Sequence, residues 1–226
     1  MTEFDPAVQF ADITAAHRAL LAAELTEDQA REAIALPGWT RGHVLIHLAD
    51  LSQAFARQAR YAVKGERVEV YDGGRPTRDR RIEELHGQPV GRLTEQMTEG
   101  LTALEESWAA LSEGDWELPC SYRNSPLWAT RLAWWRESSL HLVDLDVGRR
   151  SEEWSAELSS HVVEFLGSRL PEGTRLEATD TGQVWGEGRT VRGELRALAA
   201  WISGRPAAEL PRAVDGGELP ELTAWP

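Results

Sequence analysis

The chain has 226 residues, 42% of them hydrophobic and 27% charged, a globular composition with length for one large domain or two modest ones. Its 24 basic residues face 37 acidic ones, a formal charge of −13, which argues against nucleic acid as a partner because phosphate binding needs clustered cations. Cys120 is the single cysteine, so an intrachain disulfide framework and an all-cysteine zinc site are both excluded.

The start, "MTEFDPAVQF", lacks a basic segment followed by an apolar run, and nothing later reaches membrane-spanning length. A soluble, cytoplasmic protein with no membrane partner is the expectation. From about Pro6 to Leu25, the residues Val8, Phe10, Ile13, Ala16, Leu20 and Leu21 fall near a helical period. Asp5 before Pro6 makes an N-cap and first-turn pair. "LTEDQAREAI" predicts a shorter helix, stopped by Pro37-Gly38. A long helix follows from Trp39 to about Val63, with Thr40 as cap, Val44, Leu48, Leu51, Phe55 and Ala62 on its buried side, and Lys64-Gly65 at its end. A polar connection then predicts a short helix around Arg78–His86. Its arginine-rich stretch "RPTRDRRIEEL" reads as a solvated face, from which one arginine can still steer an anion. Further helices are predicted from about Val90 to Leu111 and from about Trp128 to Val147. Four long helices joined in this way predict a bundle. The rings of Trp134 and Trp135 cannot share one helix face, so at least one is expected at a domain or subunit boundary.

After Gly148 the texture changes. "SEEWSAELSSHVVEFLGSRL" predicts a helix, "TRLEATDTGQVWGEGRTVRG" two or three short strands, "ELRALAAWISGR" a helix ending at Gly204, and the remaining tail a loop. The chain therefore divides into a helix bundle over residues 1–150 and a small α+β domain over 151–226, a mainly α protein.

Two polar pairs stand out. His43 and His47 are four apart on one predicted helix, and Glu137 and His141 are four apart on another, with Asp144 three further on. Residues at this spacing share a helix face. Metal sites in bundles are built from inward-facing carboxylates and imidazoles on separate helices, and such N and O donors suit Zn²⁺ or another divalent ion. Three protein ligands would leave a position open for chemistry. Spacing alone equally allows satisfied polar residues of the core or its boundary.

"LPGWTRGHVLIHLADL" followed by "WWRESSLHLVDLDVG" closely resembles the mycothiol-dependent maleylpyruvate isomerase family, within the wider DinB-like superfamily of metal-binding four-helix bundles. Gly38-Trp39-Thr40-Arg41, the His43/His47 pair with Leu48-Ala49, and Arg136-Glu137 ahead of His141 and Asp144-Leu145 carry the likeness. The resemblance implies that His47, Glu137 and His141 hold a zinc ion, with His43 not a ligand and Asp144 a supporting carboxylate. It also implies a catalytic arginine, Arg205, in the Gly204-Arg205 pair after the last helix, although Pro206 departs from the family pattern. An arginine favourable at a helix C-terminus is the competing reading.

The implied reaction is cis–trans isomerisation of an anionic electrophile such as maleylpyruvate. A thiolate from mycothiol adds to the alkene, the resulting single bond rotates, and elimination restores the alkene in trans form. A zinc ion keeps a thiol deprotonated, and an arginine pairs with a carboxylate. The thiol must come from outside, because Cys120 lies in no nucleophile motif. A mycothiol S-transferase, which leaves the thiol attached to the electrophile, uses the same ligand set. A non-catalytic bundle would be expected to lack ligands, and a zinc hydrolase would be expected to carry a separate base motif.

Overall fold

The computed structural model describes residues 5–225; the reading of residues 1–4 lies outside that range. Contacts cluster into two units. One runs from Ile13 to Leu145, and the other joins the chain up to Asp12 with the chain from Asp146 onward. Among the described residues no helix is long and apolar enough to cross a membrane.

The bundle has four long helices, α1 (Pro6–Leu21), which enters the first unit at Ile13, α3 (Arg41–Ala62), α5 (Val90–Ala109) and α6 (Trp128–Asp144), with the short α2 (Glu27–Arg31) and α4 (Gly74–Leu85) in the connections. The helix starts follow local chemistry. Asp5 accepts the Ala7 amide at 2.8 Å, and Thr26 exchanges bonds with Gln29 in a capping box at the head of α2. That cap holds Thr26 extended (φ −79, ψ 164), and α1 stops at Leu21 rather than near Leu25. The helix α4 starts at Gly74, four residues before the predicted Arg78, because Gly73 turns the chain in the left-handed region (φ 78) and accepts the Thr77 hydroxyl at 2.9 Å. The helix α6 ends at Asp144 rather than Val147, two residues before Asp146 at φ 52.

Leu93, Met97, Leu101 and Leu104 of α5 and Val44, Leu48, Leu51 and Phe55 of α3 are all buried, the stripes expected from the helical period. The two helices touch closely at Gly100, where an added Cβ would lie 2.2 Å from the Ser52 hydroxyl and 2.8 Å from the Ala49 carbonyl. Trp134 and Trp135 are both fully buried.

In the second unit, α7 (Ala156–Leu166) and α8 (Leu195–Ser203) accompany a four-stranded sheet of β1 (Thr174–Ala178), β2 (Val184–Gly186), β3 (Arg189–Gly193) and β4 (Arg212–Ala213). The order is β2-β1-β3-β4, with β1 and β3 parallel and both edge strands antiparallel to their neighbours. The helix predicted across "SEEWSAELSSHVVEFLGSRL" is interrupted. Trp154 is extended, and Ser155 caps α7 by accepting the Leu158 amide at 3.1 Å. The strand β4 lies in the predicted loop-like tail, a two-residue edge too short to show a period. Between β2 and β3 the chain crosses the end of β1 at Gly186 and Gly188, both at positive φ, where a Cβ would meet backbone oxygens at 2.4 and 2.2 Å.

A polar chain that runs from the core to the exposed Glu105 ties three bundle helices together. The Trp134 indole donates to His17 Nε2 at 2.7 Å, and His17 Nδ1 faces Glu105 Oε1 at 2.6 Å. An indole N–H can only donate, so Nε2 accepts and the hydrogen resides on Nδ1. Burial pushes the His17 pKa below its ordinary 6.5, against the pull of Glu105. A folded-state pKa below the unfolded one gives a stability contribution that is complete above the unfolded value and is lost as pH falls toward the folded value. His17→Phe, which leaves the indole unpaired, should cost about 1–3 kcal/mol at pH 7.5. In urea melts from pH 7.5 to 5 the gap to the parent should narrow on acidification, and a constant gap would show that the His17 pKa is the same in the folded and unfolded states.

Candidate metal centre

The helix α3 presents His47 and α6 presents Glu137 and His141. Thr40 opens α3 in extended geometry, its amide donating to His43 Nδ1 at 3.0 Å. That bond sets the first turn, and His47 follows one turn later with its side chain only 7% exposed. Glu137 and His141 share a face of α6, as their spacing requires. The structure thus brings residues ninety positions apart into one group, with a donor atom of each of His47, Glu137 and His141 within 4.8 Å of the others. One carboxylate oxygen, Glu137 Oε2, lies 3.2 Å from His47 Nε2 and 3.6 Å from His141 Nε2. Both imidazoles therefore turn the same nitrogen toward one point.

The second nitrogen of each ring has a different neighbour. His141 Nδ1 lies 2.8 Å from Asp144 Oδ2. A carboxylate can only accept, so Nδ1 carries a hydrogen, and in the neutral ring the Nε2 lone pair faces the centre. His47 Nδ1 instead lies 2.6 Å from the Arg78 Nη2 donor. The Arg136 guanidinium is 3.3 Å from the other oxygen of Glu137. Trp39 walls the group, its ring 5.6 Å from that of His47 and stacked at 6.1 Å on that of His141.

These contacts set the electrostatics. Burial by itself would raise the Glu137 pKa, but the two imidazoles and Arg136 hold it well below the usual carboxylate value. Burial lowers His47 to about 4, against the pull of Glu137. Burial also opposes charging of His141, yet Asp144 and Glu137 outweigh it and raise its pKa. An ionised carboxylate among imidazoles is the donor chemistry of a divalent-ion site, and the three donors fit one ion.

The other sequence candidates lie as follows. His43 is outside this group. With Glu83 and His86 it forms a second cluster of possible ligands, but its ring stacks on that of His86 at 3.6 Å and 19°. Stacked imidazoles direct their in-plane lone pairs alongside each other and do not converge on one ion. Asp144 supports His141. Arg205, in the other unit, is buried; its Nη1 donates to the Ser203 carbonyl at 2.6 Å at the end of α8, and its guanidinium lies 5.2 Å from the Trp225 ring. Cys120 is buried, its thiol donating to the Ser125 carbonyl at 3.2 Å and its pKa pushed up by burial.

Arg78 departs from the solvated face read for its stretch: its side chain is only 19% exposed and it touches His47. Tyr71, whose ring is 5.9 Å from the Arg78 guanidinium and whose hydroxyl burial pushes up to about 12, was not singled out by the sequence either. Both come from the connection between α3 and α5, whose composition carries no period to mark an inward side.

Two solved structures share this fold. A crystal structure of the mycothiol-dependent maleylpyruvate isomerase and one of a histidine-to-alanine mutant of it each match with a TM-score of 0.85 at 19% sequence identity, covering 97% of this chain and 95% of theirs. No curated protein matches the chain. The sequence model described as the mycothiol maleylpyruvate isomerase N-terminal domain matches residues 10–146. That segment is more than half of the chain and contains the whole His47, Glu137 and His141 group, and the chain belongs to this isomerase family.

Proposed function

We propose that this protein is a divalent-metal-dependent, mycothiol-dependent cis–trans isomerase acting on an anionic, carbonyl-conjugated alkene of the maleylpyruvate type. The observation that carries the reading is the convergence of two Nε2 atoms and one Glu137 oxygen in a buried group, with Asp144 keeping the ring hydrogen of His141 away from that point. Zn²⁺, or another divalent ion suited to this N₂O set, would be held by His47, Glu137 and His141 and would supply a Lewis acid that keeps a thiol in its reactive thiolate form.

The chain's own groups divide the remaining work. Arg136 shares the charge of Glu137, so the carboxylate stays ionised in spite of burial. Asp144 fixes the orientation and tautomer of His141, a carboxylate–histidine arrangement whose loss typically weakens ion affinity about 10–100-fold. The small-molecule substrate needs a cation for its carboxylate. The family resemblance assigns a catalytic role to Arg205, which is buried at the end of α8.

Metal analysis of the purified protein, together with turnover of maleylpyruvate with and without mycothiol, tests the reading. The expected result is about one divalent ion per chain and isomerisation that needs catalytic, recycled thiol. His47→Ala or Glu137→Ala should remove the ion and lower turnover by at least ~100-fold. Stoichiometric consumption of thiol with a conjugate as product would make the protein a mycothiol S-transferase, and metal-free protein would sink the site. A second expectation concerns Cys120. Its buried thiol should react with an aromatic disulfide reagent only after unfolding, and Cys120→Ala should leave thiol-dependent turnover unchanged; loss of turnover in that variant would mean that the nucleophile is internal.

A further inference from the structure

The two histidines of the metal group occupy nearly the same local sequence, His47-Leu48-Ala49-Asp50-Leu51 and His141-Leu142-Val143-Asp144-Leu145. Their surroundings are opposite. Asp144 faces His141 Nδ1 at 2.8 Å, whereas the carboxylate of Asp50 is gripped by Arg81 Nε, at 2.9 and 3.2 Å from its two oxygens. In place of an acceptor, His47 Nδ1 meets Arg78 Nη2 at 2.6 Å. A guanidinium has only donors, so in this arrangement Nδ1 of His47 accepts and the ring hydrogen lies on Nε2, toward Glu137 Oε2 at 3.2 Å.

That arrangement is incompatible with ligation. A neutral imidazole has one ring hydrogen, and a nitrogen that holds an ion cannot keep it. If Nε2 of His47 holds an ion beside Glu137 and His141, the hydrogen must be on Nδ1, where it would confront another donor. Arg78 then has to give up its contact with His47 Nδ1. Its Nε is already buried with no hydrogen-bond partner, its Nη1 lies 2.7 Å from the exposed Asp79, and the double glycine Gly73-Gly74, both at positive φ, sits at the root of its helix. Ion binding therefore leaves a mostly buried guanidinium with two donors, Nε and Nη2, lacking acceptors next to the ion. Those two N–H groups lie on one edge of the guanidinium fork, the geometry that grips a carboxylate with two parallel bonds.

We propose that Arg78 is the anion-binding residue of the site: an ion held by His47 Nε2 would end its contact with His47 Nδ1 and turn its Nε and Nη2 to a carboxylate of the substrate. The inference rests on reading His47, Glu137 and His141 as ion ligands, and it gives Arg78 a role distinct from that of Arg205.

Co²⁺ in place of the native ion, with maleate as a dicarboxylate probe, tests it without any turnover measurement. Co²⁺ affinity is read from visible absorption and maleate affinity from calorimetry on the Co²⁺-loaded protein, for the parent, Arg78→Met and Arg78→Lys. Circular dichroism establishes that each variant is folded. Arg78→Met should bind Co²⁺ as tightly as the parent or a few-fold more tightly, because the competing donor is gone. Its maleate affinity should fall about tenfold or more, the value of a bidentate charged contact, and Arg78→Lys should recover part of it. Long-range ¹H–¹⁵N spectra of the imidazoles in the Zn²⁺-loaded parent should show the His47 hydrogen on Nδ1, and in the ion-free parent on Nε2. Unchanged maleate affinity in Arg78→Met, no maleate binding by the parent, or a loss of Co²⁺ affinity in Arg78→Met as large as that in His47→Ala would each overturn the proposal, the last by reducing Arg78 to a prop for the ligand. If Arg78→Met does not fold, Arg78→Lys and the parent's spectra decide the same points. Failure of the parent to take up Co²⁺ at all is a different result, which removes the ion site itself.

Discussion

The bundle is organised around an ionised carboxylate placed where a carboxylate is costly. Glu137 is largely enclosed, and an isolated buried carboxylate would rather take up a proton than remain charged. It remains ionised because His47, His141 and Arg136 surround it. Those three come from two helices, so the charge also constrains how α3 and α6 approach each other. Breaking a buried charged set by removing one member typically costs about 3–5 kcal/mol, because the members left behind lose their compensation. The same enclosure gives the group its chemistry. Two imidazoles and an ionised carboxylate enclosed together are donors that suit a divalent ion.

The tautomers extend this logic beyond the three donors. Asp144 makes His141 ready to ligate, while Arg78 holds His47 in the opposite form. Binding of an ion would change one histidine more than the other, and the change is transmitted to α4. The site is therefore coupled to a connecting segment rather than only to the long helices, and such segments are where bundles and other scaffolds commonly carry recognition. Trp39, just ahead of α3, closes another side of the group by ring contact.

Much of the architecture was legible because its signals are local. The periods of α3 and α5 appear in the apolar residues themselves, and their buried faces are those the periods imply. Asp5 before α1 marks a helix start by its side-chain chemistry, and at the head of α3 the His43 ring accepts the Thr40 amide. Helix ends were less legible. Leu21, Gly73, Trp154 and Asp146 mark places where a neighbouring cap or a left-handed residue overrides a propensity that would have continued or delayed the helix. The strand β4 exists only through its pairing with β3, a long-range bond for which two residues carry no pattern.

For the site, the sequence by itself determined that Glu137 lies one turn from His141 and that His47 lies one turn from His43, because the helical repeat is a property of the backbone. Together with the family motifs, it also singled out the residues that now meet. Tertiary structure decided everything that depends on orientation about a shared point. It placed His47 rather than His43 against Glu137, turned the two Nε2 atoms toward one oxygen, and stacked His43 on His86 in a geometry unsuited to an ion. It also brought Arg78 out of an apparently solvated run and against His47. Hydrogen-bond direction depends on which donor and acceptor face each other in space, and nearly identical neighbours in sequence, His-Leu-Ala-Asp-Leu and His-Leu-Val-Asp-Leu, do not specify it.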